Sequence, residues 1–442
     1  MATSDKRRQA EDNREGHVGR ATITIDGEHE DAPAEGNDYA AKVKAGHTRE
    51  ARNQKIFIMG VVLVALYAFA LVVPKNIIST ATMFADNGYT ISWFILQLQD
   101  NLNGILTVVT GNLSGTGGYD STMIRYVIIA FTGAGMALCG AVYQGSFRNA
   151  LVSPSTLGVM SGSTLGAVVF VLFFYDSSST EFVNSLGVGA SSSASASSAA
   201  APTDVFGYVM SSYGLALCSF VGCMVVMCLV LLVLRLSNGG ASAVFLIVTG
   251  QVLGGIVGAV CNSVRYYYLT VDQYGDKATL LTDLMIASFY RNYTWVDLLC
   301  VGIPLIAAFM LVMHLRSSMM TLSLDEGEQR TLGVESRRMM YAVLAICTLL
   351  TAMIVSFCGT IGFVGFMVPH MARRIVGPNF KYLIPCATVL GAVFVLAAYT
   401  LLMMTLGSDY ETMVGMFISI GGAAVFLVTA LRGKGGVRGQ FK

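Results

Sequence analysis

The stretch Arg125 to Gly166, RYVIIAFTGAGMALCGAVYQGSFRNALVSPSTLGVMSGSTLG, decides the fold class of this chain. Two apolar runs flank one polar turn, Arg148-Asn149-Ala150-Leu151-Val152-Ser153-Pro154, and each run approaches the roughly 20 residues that a helix needs to cross the hydrocarbon core of a bilayer. Gly133, Gly135, Gly140, Gly145, Gly158, Gly162 and Gly166 fall in these runs or at their edges, with Ser161 and Ser163 among them. In lipid the hydrophobic effect cannot hold helices together, so small residues that let backbones approach closely take over that role. The stretch therefore predicts two transmembrane helices pressed tightly against neighbours.

The rest of the chain repeats the pattern. Of its 442 residues 54% are hydrophobic and 12% charged, against roughly 25% charged in a soluble domain. Apolar runs separated by polar or Gly/Pro clusters predict ten spans, near 56–74, 124–146, 156–175, 206–235, 243–268, 295–315, 339–358, 361–376, 384–406 and 413–431. The fold class expected is all-α integral membrane with N- and C-termini both inside. In that orientation the inner segments hold 23 Lys/Arg and the outer segments five, Lys75, Arg125, Arg265, Lys277 and Arg291. Basic loops stay on the cytoplasmic side, so the opposite orientation is excluded.

Residues 1–55 mix ten Lys/Arg with eleven Asp/Glu, lack apolar periodicity, and read as a disordered cytoplasmic tail ahead of a membrane domain spanning 56–442. The first apolar run begins only at Ile56, too far in for a secretory signal, so the first helix is expected to be retained. The Ser/Ala-rich segment 191–202 reads as a flexible spacer. The nine cysteines lie in or at the ends of apolar runs, with no Cys-x-x-Cys pair and none near a histidine, so they read as helix filler and no metal site is expected.

A second motif, Cys358 to Arg374, reads CGTIGFVGFMVPHMARR. Gly359, Gly362 and Gly365 followed by Pro369 inside an apolar run predict a broken or kinked helix, serving either as a packing kink or as a pathway-lining element. His370 then stands near the inner end, as a gate residue or a helix-end hydrogen-bonding group.

These two motifs carry a family resemblance. The order Gln-Gly-x-Phe-Arg-Asn-x-Leu-x-x-Pro-x-x-Leu-Gly-Val-x-Ser-Gly at 144–162, led by Arg125 and its small-residue helix, resembles a signature of the FecCD family, the permease subunits of ABC importers for ferric siderophores, haem and cobalamin. Leu-Gly-Val at 332–334 and Gly-x-Ile-Gly-Phe-x-Gly-x-x-x-Pro-His-x-x-Arg at 359–373 are similar to a second signature, and Glu411-x-x-Val-Gly more weakly to the final helix. The resemblance implies the ten-helix fold of a type II ABC importer permease in the cytoplasmic membrane of a bacterium. It also implies a second permease subunit, identical or homologous, two cytoplasmic ABC ATPases and an extracytoplasmic substrate-binding protein. The polar loop of about 316–338 would then be the coupling element, with Glu326, Arg330, Leu332 and Gly333 at matching positions. Gly140, Gly145, Asn149, Pro154, Gly158, Ser161, Gly162, Gly362, Gly365, Pro369 and His370 would serve helix packing or the pathway. Of the outer Arg-x-Pro-Arg cluster and later arginine that related permeases use to dock the binding protein, only Arg125 remains: Thr122 and Ile124 stand at the first arginine and the proline, and Met404 at the later arginine.

No Gly-x-x-x-x-Gly-Lys-Ser/Thr phosphate loop occurs, so the chain is not expected to hydrolyse ATP; ATP and Mg belong on the partner ATPase. The spans hold almost no Asp, Glu or Lys, which argues against an ion-coupled secondary transporter, and they show no nucleophile or ligand cluster for a membrane-embedded enzyme. The expected function is ATP-driven import of a ferric siderophore, with haem or cobalamin as alternative cargo.

Overall fold

Among the described residues the apolar runs form ten α-helices: α1 (Glu35–Val72), α2 (Tyr119–Ser146), α3 (Val159–Phe173), α4 (Val205–Leu236), α5 (Ala243–Val271), α6 (Trp295–Leu322), α7 (Ser336–Cys358), α8 (Val364–Val376), α9 (Phe380–Thr405) and α10 (Val414–Arg432). The structure is a computed structural model that describes residues 35–72, 119–174, 205–237, 243–271, 293–322, 336–406 and 413–432, with 99, 281 and 289. Seven of the helices are long and apolar enough to cross a membrane unaided. The exceptions are α3, α8 and α10. At 13 residues α8 is only about 20 Å long, so the irregular chain leading into it supplies the remaining depth.

Two units divide at Glu50, Met1–Glu50 and Ala51–Lys442. Helix α1 begins at Glu35, within the stretch 1–55 read from sequence as a tail. Its leading residues are rich in Ala, Glu, Lys and Arg, which propagate a helix cheaply once the adjoining apolar segment has nucleated it.

Helix α2 is the hub, packed against α6, α7, α8 and α9, with 89% of its apolar window buried. Its sequence explains the position, because glycine and alanine leave the backbone bare where neighbours cross. A Cβ on Gly133 would strike the Gly391 carbonyl of α9, and one on Gly140 the Gly365 carbonyl of α8. At Gly145 it would meet the Phe380 ring of α9. A few hydrogen bonds add directionality: the Tyr143 and Thr348 hydroxyls lie 3.1 Å apart, and the Gln144 amide donates to the Phe366 carbonyl at 2.9 Å. A second layer forms where α3 crosses α4 and α5. A Cβ on Gly162 would lie 2.5 Å from the Gly222 carbonyl oxygen, and Gly166 abuts the Cys218 carbonyl. By contrast α1 and α5 are peripheral, with 6% and 22% of their apolar windows buried.

Candidate functional site

The turn between α2 and α3 is built from its own polar side chains. Arg148 takes a left-handed conformation (φ 49°), and Asn149 Oδ1 accepts from the Leu151 amide at 2.9 Å. The Ser153 amide donates to Thr156 Oγ1 at 2.8 Å, and the Thr156 amide donates back to the Ser153 carbonyl at 3.1 Å. Such local bonds satisfy backbone groups of a partly buried turn that has left the helical ladder. Gly158 closes the turn at φ 76°, where an L side chain is strained, with its Cα face against the Gly250 carbonyl of α5.

The second signature forms the matching break. Helix α7 stops at Cys358, Gly359 adopts φ 73°, and Phe363 leads into α8 at φ 63°. The break thus lies ahead of Pro369, whereas Pro369 itself sits inside a continuous α8. Lacking an N–H, Pro369 leaves the Gly365 carbonyl without its i+4 donor, and that carbonyl is the one Gly140 packs against. A Cβ on Gly365 would lie 2.8 Å from Pro154 Cδ and 3.0 Å from the Met136 carbonyl. Gly140, Pro154, Gly365 and Pro369, distant in sequence, therefore belong to one junction of α2, the α2–α3 turn and α8.

Between α3, α5, the 359–363 link and α10 lies a cavity of about 760 Å³. Ser161 and Thr164 face it from α3, Gly258, Asn262 and Arg265 from α5, Thr360 and Gly362 from the link, and Ser419 from α10. The Ser161, Thr164 and Ser419 hydroxyls donate to carbonyls of their own helices at 2.7 Å, to Gly158, Ser161 and Gly415 respectively. Among the described wall residues Arg265 is the one charged side chain.

The expected site residues divide accordingly. Ser161 and Gly362 are on the cavity wall, Gly140, Gly145, Pro154, Gly158, Gly162 and Gly365 are helix contacts, and Asn149 caps the turn. His370 is off the wall and buried, its ring 6.1 Å from Phe426 of α10, with no hydrogen bond to Nε2 among the described residues. The helix-end hydrogen bond expected for it is therefore not made through that nitrogen. Arg125 is 8% exposed and not offered on an open rim. Its helix starts at Tyr119, more than a turn before residue 124, so Arg125 lies within the packed helix instead of at its tip. Glu326, Arg330, Leu332 and Gly333, like the 191–202 segment, lie outside the described residues. Asn262, Thr360 and Ser419 were not singled out from sequence, and Arg265 entered there only as a basic residue of the outer segments; the signal was Asn262 inside a largely apolar run. None of the nine cysteines forms a disulfide, and no group of three metal-ligating side chains exists among the described residues.

Comparison with known proteins agrees with this architecture. The chain is 28% identical to the molybdate import system permease protein of Haemophilus influenzae over 71% of its length and 80% of that protein's. It is 29% identical to the Fe(3+)-citrate import system permease protein of Bacillus subtilis over 63% of its length and 71% of that protein's. A solved metal-chelate type ABC transporter in an inward-facing conformation superimposes with a TM-score of 0.62 at 23% identity, covering 86% of this chain and 99% of that one, which shows the shared fold. The FecCD transport family profile matches residues 87–432. A helical hub, two broken-helix signatures and a match over most of the length lead to one assignment: the chain belongs to the FecCD transport family and is a multi-pass permease of the ABC importer type, a transport component and not a catalyst.

Proposed function

We propose that this permease passes a ferric siderophore or similar iron chelate through the cavity bounded by α3, α5, the 359–363 link and α10. The observation that carries the reading is the cavity itself, about 760 Å³, large enough for a bulky chelate and free of carboxylates among the described wall residues. A proton- or sodium-coupled carrier would place an acidic group there. Its non-helical borders at Gly158 and at Gly359 to Phe363 are places where backbone can reorient between inward- and outward-open states.

The energy comes from two cytoplasmic ABC ATPase subunits that bind ATP and Mg, acting on a pair of permeases through the 316–338 loop. An extracytoplasmic binding protein delivers the cargo. No bond of the substrate is made or broken in the permease, which binds it transiently and changes the side to which it is open. Haem and cobalamin are the alternative cargoes.

The test is accumulation of radioactive iron from a panel of ferric chelates, beside labelled haem, cobalamin and molybdate, in iron-starved cells with and without this chain. Dependence of one ferric chelate on the chain supports the reading. Dependence of haem, cobalamin or molybdate in its place keeps the importer and replaces the cargo; dependence of none removes the import reading.

A further inference from the structure

We infer that Arg52, Lys55 and Lys381 form a binding site for the phosphate headgroup of an anionic phospholipid of the inner leaflet, which clasps α1 to the α8–α9 turn. The inference is independent of the cargo. Contacts from three side chains converge on that turn, residues 377–379. Lys55 Nζ of α1 donates to the Ile375 carbonyl, in the last turn of α8, at 3.1 Å. The guanidinium carbon of Arg52 lies 5.3 Å from the centre of the Tyr382 ring, and Arg52 Nη2 is 3.7 Å from where a Gly377 Cβ would be. Lys381 Nζ, from the first turn of α9, lies 5.8 Å from the same ring centre. Lys55 and Lys381 are exposed and Arg52 is half-buried, so all three can be reached from outside.

Three cations drawn together need a counter-charge, and the chain around them does not hold one. Residues 51–72 of α1 and residues 364–405, through α8 and α9, contain no Asp or Glu. None of the three pairs with a carboxylate, Glu50 included, among the described residues. The Ile375 carbonyl takes one of the three ammonium protons of Lys55, and the Tyr382 ring takes none from Arg52 or Lys381, so donors remain on all three for an oxyanion.

What lies next to the cations selects a lipid over a soluble anion. Lys55, Ile58 and Val62 follow one another at helical spacing on one face of α1, with Phe57, Val61 and Val64 on the adjoining stripe, all of them exposed. Charge at the end of the helix and apolar surface running inward from it repeat the polarity of a phospholipid. A free phosphate or an acidic protein surface would answer the cations and leave the stripe uncovered. In the orientation given by the basic loops this end of α1 is at the cytoplasmic surface, where acidic headgroups attract basic side chains. Only Ile56 and Met59 of this part of α1 turn toward the protein, against the cluster of Ala372, Val376, Tyr382 and Cys386. With 6% of its apolar window buried, α1 has little else to hold it, and a bridging lipid adds a second attachment.

The experiment places the purified full chain in bilayers of phosphatidylcholine, with or without phosphatidylglycerol, and measures by mass spectrometry the lipid retained on re-extraction, beside the thermal unfolding midpoint. The test variant is Arg52→Gln/Lys381→Gln. The control, Arg235→Gln/Arg316→Gln, removes the same charge from the inner parts of α4 and α6. The intact chain and the control are expected to retain phosphatidylglycerol in preference to phosphatidylcholine and to unfold at a higher temperature with it. The test variant is expected to lose that preference by roughly tenfold, and the shift with it. If the test variant fails to fold, Lys381→Gln at its exposed position decides the matter, with a smaller loss in the same direction. Equal preference in all variants, or equal loss in test and control, overturns the inference. So does an unfolding shift in inorganic phosphate that matches the one in phosphatidylglycerol, because the acyl chains would then contribute nothing. Loss of the ATPase subunits from the assembled transporter in the test variant, with lipid retention unchanged, overturns it too and gives the surface to a protein partner.

Discussion

The backbone of Gly140 in α2 lies against the carbonyl oxygen of Gly365 in α8, so closely that a Cβ on Gly140 would overlap it. The obstacle is backbone and cannot rotate away. We therefore expect Gly140→Ala to destabilise the protein by about 1–3 kcal/mol, the usual range for overpacking, although alanine is the better helix former. Gly255→Ala is the control, because nothing lies within 4 Å of that position, and it should be neutral or stabilising. Thermal unfolding of both purified variants in one detergent checks this, and equal midpoints would contradict it.

The α3–α4 crossing makes a parallel case. A Cβ on Gly222 would strike the Gly162 carbonyl and lie 2.7 Å from the Gly166 amide nitrogen, whereas one on Gly254 would have the movable Ser161 hydroxyl nearest, at 3.2 Å, and the Gly158 Cα at an ordinary contact of 3.5 Å. Gly222→Ala should lower the unfolding midpoint and Gly254→Ala should leave it within about 0.5 kcal/mol of the parent, as for a substitution free of such clashes. A reversed order would mean that the crossing is looser than the structure shows.

Gly362 and Gly365 are two residues of one motif with different surroundings. Gly365 is enclosed by Pro154 and the Met136 carbonyl, while Gly362 borders the cavity, its nearest neighbour being the Ser419 hydroxyl. Gly365→Leu should lose folded protein from the membrane. Gly362→Leu should be present there but slow uptake several-fold by filling the cavity. Normal uptake with a folded Gly362→Leu would detach the cavity from transport.

For the loop of 316–338, reversal of charge at both Glu326 and Arg330 should uncouple ATP hydrolysis from uptake while leaving membrane insertion intact. The measurement is ATPase activity of the assembled transporter beside cargo accumulation. Full-rate transport would remove the loop from the coupling role.

At the start of the membrane unit, Lys55 Nζ donates to the Ile375 carbonyl at 3.1 Å, in the last turn of α8, where a cation complements the negative end of the helix. Lys55 is exposed, so Lys55→Met should cost less than about 1 kcal/mol. A loss several times larger in chemical or thermal unfolding would show that the contact organises more of α8 than its last turn.

Much of the helix layout was legible in advance because apolar run length is a local property. The run predicted at 243–268 is α5 at Ala243–Val271, and that at 339–358 ends with α7 at Cys358. Less legible was the lead of α1 from Glu35, since its residues have no apolar period and are helical by continuity with the span they precede. The second signature announced a break, but Pro369 drew attention six residues past Phe363, the last residue of the irregular backbone; the left-handed residues Gly359 and Phe363 are where the chain turns.

Membrane residence, the bounds of most of the described helices and the two Gly-rich signatures, and hence the family, could be read along the chain alone. Which glycine meets which partner, the burial of Arg125, and the meeting of Ser161, Asn262, Arg265, Gly362 and Ser419 at one cavity emerge from the packed fold. The physical reason is that composition and spacing are carried along one chain, whereas a helix's rotation and crossing point are set by all its neighbours together. In lipid those are fixed by close packing, which no single helix encodes alone.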